Sequence, residues 1–218
     1  RDDTRSILID AGPEFRIQAL RSRIKRLDAV LLTHAHADHV HGMDDIRIFS
    51  HDADMPVYAN ATCIEDVRNR FDYVFKETQL GGGKPKLRLI EVKGGETITV
   101  AGLKITAIPL WHGIIPILGW RIGDTAYLTD CSRIPDEAWP LLAGTRKLVI
   151  DALRVRPHST HFSFAQAIEA IDRIGCAEAW FTHLCHDFSH EGIRAWLAGN
   201  AQGKKIEPAF DGLRITIG

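Results

Sequence analysis

Residues Thr33-His34-Ala35-His36-Ala37-Asp38-His39 form the most informative stretch of the chain, and they follow an apolar run, Ala29-Val30-Leu31-Leu32. The pattern His-x-His-x-Asp-His brings three imidazoles and one carboxylate close together in sequence. Zinc and related divalent ions prefer these ligand types, and such a cluster just past a strand can supply ligands to two ions. Because a pair of divalent ions catalyses hydrolysis, this stretch predicts a metal-dependent hydrolase.

Chance is a poor explanation for this pattern. Histidine makes up 11 of the 218 residues. At that frequency the pattern arises somewhere in a chain of this length about two times in a thousand. A polar loop that binds no metal is the alternative interpretation, and ligand-type residues elsewhere in the chain decide between the two.

Three other ligand-type residues follow strand-like runs. His112 comes after the run 106–110 and Trp111, Asp130 follows 126–129, and His183 follows 179–182. A strand end is a good ligand platform because the sheet holds the backbone while the side chain points off the rim. Each residue alone is more typical of a solvated or satisfied polar group. Their combination with the histidine cluster favours a shared metal centre.

Composition indicates an ordinary globular protein of one domain or two small ones, with 45% hydrophobic and 25% charged residues. The 27 basic and 28 acidic residues give a net charge of −1, which argues against nucleic acid as a partner. No apolar run approaches the ~20 residues that cross a bilayer, so we expect no membrane partner. The four cysteines form no Cys-x-x-Cys pair, which favours reduced thiols and a cytoplasmic location.

Runs rich in Val, Ile, Leu and Thr indicate many strands with helices between and around them. Strands are predicted at 6–10, 29–33, 56–59, 87–92, 97–100, 103–109, 117–122, 126–129, 148–151, 179–182 and 213–217. Helices are predicted at 13–21, 61–71, 135–143, 163–174 and 190–197. Gly94-Gly95 and Ala101-Gly102 are typical of hairpin turns, and 76–85 of a flexible loop. This order predicts layered sheets with helices outside.

The ordered motifs resemble those of the metallo-β-lactamase fold. They are His34-x-His36-x-Asp38-His39, then His112, Asp130 and His183, with Asp10 at the end of an earlier strand-like run. The similarity covers essentially the whole chain. It implies an α/β protein, a four-layer αββα sandwich, with a single domain over residues 1–218. Because the chain opens with Arg1 rather than Met, we expect an N-terminal segment to be missing.

The resemblance also implies two divalent metal ions at one edge of the sheets. The first ion is bound by His34, His36 and His112. The second ion is bound by Asp38, His39 and His183, and Asp130 bridges the two. Asp10 supports the ligand loop without binding metal, and His186 lies outside the ligand set. Zinc is the favoured ion, with manganese or iron as alternatives.

Segments near these ligands resemble phosphodiesterases of this fold, and the nearest family is the phosphoribosyl 1,2-cyclic phosphate phosphodiesterases. The segments are 110–112, 119–122, 127–130, 181–186 and 210–213. His161 matches that family's catalytic histidine, which implies that it binds phosphate and protonates the leaving oxygen. His158 and Arg156 in the same loop are further candidates for substrate binding. Asp38 is a candidate for orienting the nucleophile as well as binding metal.

The leading hypothesis is a binuclear metal-dependent phosphodiesterase that hydrolyses a small cyclic phosphate or a nucleotide-like phosphodiester. One alternative is a nuclease like the endonucleases that process tRNA 3′ ends, although the chain has no basic insertion to hold RNA. Another is a non-catalytic metal-binding module on the same fold. The presence of a competent ligand at every expected position argues against that module. A homodimer is one option for the quaternary structure.

Overall fold

A computed structural model describes residues 4–77, 83–201 and 203–218 of the chain. The chain divides into two compact units, the first formed by Arg1–Gly94 with Thr99–Leu103 and the second by Gly95–Ile98 with Lys104–Gly218. The single domain over 1–218 stays a prediction. Half of the predicted loop at 76–85, residues 78–82, lies outside the described residues. Within the described ranges, no helix has both the length and the apolarity needed to cross a membrane.

The first unit is built on a parallel four-stranded sheet in the order β1-β2-β3-β4. The strands are β1 Ile7–Ile9, β2 Ala29–Leu31, β3 Met55–Ala59 and β4 Leu87–Glu91. The helices are α1 Phe15–Arg21, α2 Ala37–Val40, α3 Ala61–Arg70 and α4 Asp72–Phe75, with a 3-10 segment at Met43–Phe49. Every residue of β2 is fully buried, which explains the uninterrupted apolar run before the histidine cluster.

Two glycines bring the end of α2 against the loop that follows β1. The Ala11 amide donates to the His39 carbonyl at 2.7 Å, and the Gly42 amide donates to the Ala11 carbonyl at 2.8 Å. A Cβ on Gly42 would lie 2.2 Å from the Gly12 carbonyl oxygen, so only glycine permits this approach. The close packing holds the histidine cluster against the carboxyl end of β1.

The second unit is built on a seven-stranded sheet in the order β11-β10-β9-β8-β7-β6-β5. The strands are β5 Thr97–Val100, β6 Leu103–His112, β7 Ile115–Ile122, β8 Thr125–Leu128, β9 Lys147–Asp151, β10 Glu178–Thr182 and β11 Ile206–Pro208. The strands from β8 to β11 are parallel, and β7 pairs antiparallel with both β6 and β8. Because parallel strands end on the same side, the carboxyl ends of β8, β9 and β10 lie together at one edge.

Helix α5, Phe164–Ile174, is the best specified element of the second unit, and α6 spans His190–Asn200. Ser163 and Gln166 form a capping box at the start of α5, and Gly175 ends the helix in the left-handed conformation. Ala167 and Ile171 are buried in the core of this unit, one helical turn apart. The predicted start and end of this helix are confirmed to within one residue.

Three sequence predictions are wrong. Residues 213–217 form no strand, and the edge strand is instead the short β11, which pairs with β10. The predicted helix 135–143 is two 3-10 segments, Asp136–Ala138 and Pro140–Leu142, because Pro140 has no amide hydrogen to continue a helix. Gly94-Gly95 is not a hairpin turn, since β4 and β5 belong to different sheets.

The hairpin prediction at Ala101-Gly102 is confirmed and leads to a stability test. Both residues have positive φ, 48° for Ala101 and 78° for Gly102, as a type I′ turn requires. Because asparagine tolerates this region better than alanine, Ala101→Asn should raise the free energy of unfolding by about 0.5–1 kcal/mol in urea denaturation. Gly102→Ala is the matched control and should lower it by about 1 kcal/mol. An unfolding midpoint for Ala101→Asn below that of the parent chain would contradict the turn assignment.

Candidate metal centre

In the first unit, the carboxylate of Asp10 organises the loop that carries the histidine cluster. Asp10 follows β1 and accepts hydrogen bonds from the Thr33 amide and the Thr33 hydroxyl, both at 2.8 Å. Its second oxygen also lies 2.7 Å from Nδ1 of His39. A carboxylate can only accept here, so Nδ1 of His39 carries the hydrogen and Nε2 keeps its lone pair for a metal.

The same loop brings the four predicted ligands of this unit together. The His34 ring centroid lies 4.5 Å from that of His36 and 4.2 Å from that of His39. The Thr33 hydroxyl lies 3.1 Å from Nδ1 of His34. A carboxylate oxygen of Asp38 lies 3.4 Å from Nε2 of His39, and 60% of the Asp38 side chain is exposed. His34 and His39 are buried, whereas His36 and Asp38 face solvent.

In the second unit, Asp130 and His183 follow the parallel strands β8 and β10, which both pair with β9. Both have left-handed φ, 53° for Asp130 and 55° for His183, as does Asp10 with 57°. Asp and His adopt this region more readily than most residues, and such conformations concentrate at functional sites. The turn brings Nδ1 of His183 to 3.2 Å from Oδ2 of Asp130. The Thr129 hydroxyl donates to the same oxygen at 2.8 Å.

A main-chain carbonyl sets the orientation of His112 at the end of β6. Its Nδ1 donates to the Thr160 carbonyl at 2.8 Å, which leaves the lone pair on Nε2. Burial lowers the pKa of His112. The next residue, Gly113, has a φ of 60°, and a Cβ there would lie 2.9 Å from the Thr160 methyl. Glycine therefore allows the loop with Thr160 to reach His112.

His161 lies among the candidate ligands of the second unit. Its ring centroid is 4.7 Å from that of His112, and it stacks on His183 at 4.8 Å. Ligand atoms of His112, Asp130 and His161 all lie within 4.8 Å of one another. Nδ1 of His161 is 2.9 Å from Oδ2 of Asp151 and 3.9 Å from Oδ1 of Asp130. The nearer carboxylate, Asp151, is therefore its hydrogen-bond partner.

Sequence reasoning missed the role of Asp151. This residue ends β9 and is fully buried. Burial, together with the negative charge of Asp130, raises the pKa of Asp151 to about 8. The available signal was a carboxylate at the end of an apolar strand, ten residues before the candidate catalytic histidine. That pattern is too common to identify a pair, because only the sheet brings the two side chains together.

Three other residues that the sequence predicts for the site are exposed on the surface: Arg156, His158 and His186. His158 is exposed, its Nδ1 accepts from the Thr160 amide at 3.3 Å, and its ring centroid is 5.2 Å from that of His161. Arg156 pairs with Asp187 at 3.2 Å. His186 is exposed and makes no hydrogen bond within the described residues.

Cys131, which the sequence assigns to packing, is buried in the core of the second unit, and burial raises the pKa of its thiol.

Each unit thus presents a donor set that suits divalent metal ions. Imidazole nitrogens and carboxylate oxygens are ligands for zinc, manganese and iron. In His39 and His112 the chain holds Nδ1, which is how proteins orient a metal-binding histidine. The residues present therefore fit a metal ion. The joining of the two sets into one seven-ligand centre stays a prediction.

Comparison with known proteins shows the family. The chain matches the β-lactamase superfamily domain over residues 5–184. It is 42% identical over 186 residues to an octanoyltransferase of Porphyromonas gingivalis, a match that covers 85% of this chain. The chain spans only 38% of the length of that relative.

Solved structures agree with this assignment. A diphosphatase from the PhnP family is 36% identical with a TM-score of 0.86, over 99% of this chain and 80% of that chain. The metallo-β-lactamase fold protein YhfI from Bacillus subtilis is 21% identical with a TM-score of 0.78, over 98% of this chain and 87% of that chain. The predicted α/β metallo-β-lactamase fold is therefore confirmed. The chain belongs to the β-lactamase superfamily, and within it to the PhnP family.

Proposed function

We propose that the chain is a binuclear metal-dependent phosphodiesterase that hydrolyses a small cyclic phosphate or a nucleotide-like phosphodiester. The observation that carries the proposal is the His161–Asp151 pair, which lies beside the candidate ligands Asp130 and His183. The pair places a histidine that is not one of the seven predicted ligands in an orientation suited to proton transfer. The similarity to a diphosphatase of the PhnP family supports chemistry at phosphorus.

We infer that the two donor sets together hold two divalent ions. Three histidines, His34, His36 and His112, would bind one ion. Asp38, His39 and His183 would bind the other, with Asp130 as the bridging ligand. Zinc is favoured, with manganese or iron as alternatives. When bound, such ions activate water and offset the negative charge that develops on a phosphoryl group.

His161 would protonate the oxygen that leaves phosphorus. Its Nδ1 hydrogen is directed at Asp151, so Nε2 is the atom that donates the proton. The Asp151 side chain holds the ring in this orientation, as the acidic member of a hydrolase triad does. Asp38 would orient the attacking water from its exposed position beside His39.

Two outer residues would position the substrate. The Thr160 amide donates to Nδ1 of His158, so the neutral ring presents its Nε2 hydrogen to a phosphate oxygen. Arg156 would bind phosphate by exchanging its partner Asp187, since a guanidinium pairs as well with phosphate as with carboxylate.

The acid role of His161 predicts a dependence on the leaving group. His161→Ala should lower kcat by about 100-fold or more for a 2′,3′-cyclic mononucleotide, whose alkoxide needs a proton. The loss should be much smaller for bis(4-nitrophenyl) phosphate, because nitrophenolate leaves without one. Metal content, measured by elemental analysis, should not change. The exposed His51, paired with Asp52, gives the control His51→Ala, which should behave like the parent chain. Equal losses on both substrates would rule out proton donation.

The bridging role of Asp130 predicts loss of metal. Asp130→Asn should bind fewer than two ions per chain after dialysis against zinc at about micromolar concentration, because an amide oxygen is a weaker ligand than a carboxylate. The matched control is Asp136→Asn, since the Asp136 side chain is 99% exposed in the same unit. Full metal content in Asp130→Asn would contradict the assignment. A parent chain that binds two ions yet hydrolyses neither substrate would instead support a binding module.

A further inference from the structure

The side chain of Arg70 contacts the main chain of the ligand loop in the first unit. Arg70 is the last residue of α3, and its Nη1 donates to the main-chain carbonyl of Ala35. Ala35 is buried and stands between His34 and His36 in the sequence. The guanidinium therefore holds the peptide group that immediately precedes His36.

The main chain around His36 is held on both sides of the residue. His36 is exposed and in an extended conformation, with φ −64° and ψ 156°. Its own carbonyl accepts the His39 amide at 3.0 Å, at the start of α2. The peptide after His36 is thus held by α2, and the peptide before it by Arg70.

Helix α3, which carries Arg70, is capped at its start and packed into the core of the first unit. The Asn60 side chain caps the helix by accepting from the Cys63 amide at 2.8 Å. Cys63 and Val67 are buried in the core of the first unit, and the Phe71 amide donates to the Val67 carbonyl to close the last turn. A guanidinium suits this role because it is always charged and its donors have a fixed planar geometry.

We propose that Arg70 is a positioning residue that orients His36 toward a metal ion through the Ala35 carbonyl. This inference rests on the proposed function, because it takes His36 as a metal ligand. Loss of the guanidinium frees the Ala35–His36 peptide to rotate and weakens the ion that His36 would bind. Charge alone acts in the opposite direction, since a cation near a metal site repels the metal. The sign of the change in metal affinity therefore separates positioning from simple electrostatics.

The test compares R70A and R70K with a control from the same helix turn. R68A removes an arginine whose guanidinium lies 5.1 Å over the Phe75 ring. Each metal-free protein is titrated with Zn²⁺ against a competing chelator. We expect R70A to weaken one of the two ions by about 10- to 100-fold, the usual effect of losing a residue that orients a ligand. R70K should recover part of this loss, and R68A should match the parent chain.

Cobalt substitution adds a spectroscopic readout that a general loss of stability would not produce. The visible absorption of Co²⁺ reports its ligand geometry, so the spectrum of R70A should differ from that of the parent chain, and the spectrum of R68A should not. If R70A does not fold, the zinc affinities of R70M and R70K are compared instead. R70M should lose affinity, and R70K should retain more of it because lysine keeps a donor.

The outcomes separate this inference from the proposed function. Unchanged or tighter binding of both ions by R70A, or equal affinities in R70M and R70K, overturns the role of Arg70. Two-ion binding and phosphodiester hydrolysis by the parent chain would leave the proposed function intact in that case. A parent chain that binds no ion overturns both.

Discussion

The carboxylate of Asp10 is the interaction on which the first donor set depends. It accepts from the Thr33 amide, the Thr33 hydroxyl and Nδ1 of His39, and its side chain is only 10% exposed. Hydrogen bonds to a charged group contribute about 1.5–3 kcal/mol each, more than neutral ones. Three of them on one carboxylate tie the end of β1 to the loop after β2. The left-handed backbone at Asp10 directs the carboxylate into the loop.

In the second unit, other groups orient the histidine rings. The Thr160 carbonyl holds Nδ1 of His112, and the Asp151 side chain holds Nδ1 of His161. In each case the contact fixes Nδ1 and so sets the orientation of the ring. The carboxyl ends of β8, β9 and β10 supply Asp130, Asp151 and His183 from one sheet edge, so a rigid element supports each group.

This arrangement links the fold to the proposed reaction. A hydrolase of this kind must orient its metal ligands before the ions bind and must keep a proton donor in place beside them. The hydrogen bonds of Asp10 and Thr160 meet the first requirement, and the buried Asp151 meets the second. Arg70 holds a peptide group of the ligand loop, where the other contacts hold a ring.

The sequence alone determined the chemical identity of the site. The cluster from His34 to His39, with His112, Asp130 and His183, named the candidate ligands, and the family and fold followed from them. Local signals were equally reliable where the structure depends on neighbours in sequence, as in the capping box of Ser163 and the turn at Ala101-Gly102. Propensity, capping and turn chemistry act over a few residues, so a linear pattern records them.

Only the tertiary structure decided which residues serve those groups. Asp151 reaches His161, and Arg70 reaches Ala35 over 35 residues, because strands and helices bring distant segments together. The short strand β11 likewise exists through its pairing with β10, since two of its three residues, Glu207 and Pro208, are disfavoured in strands. Long-range contacts of this kind leave no periodic pattern in the sequence. The sequence therefore predicted the candidate reactive groups, and the tertiary structure showed which residues hold those groups in place.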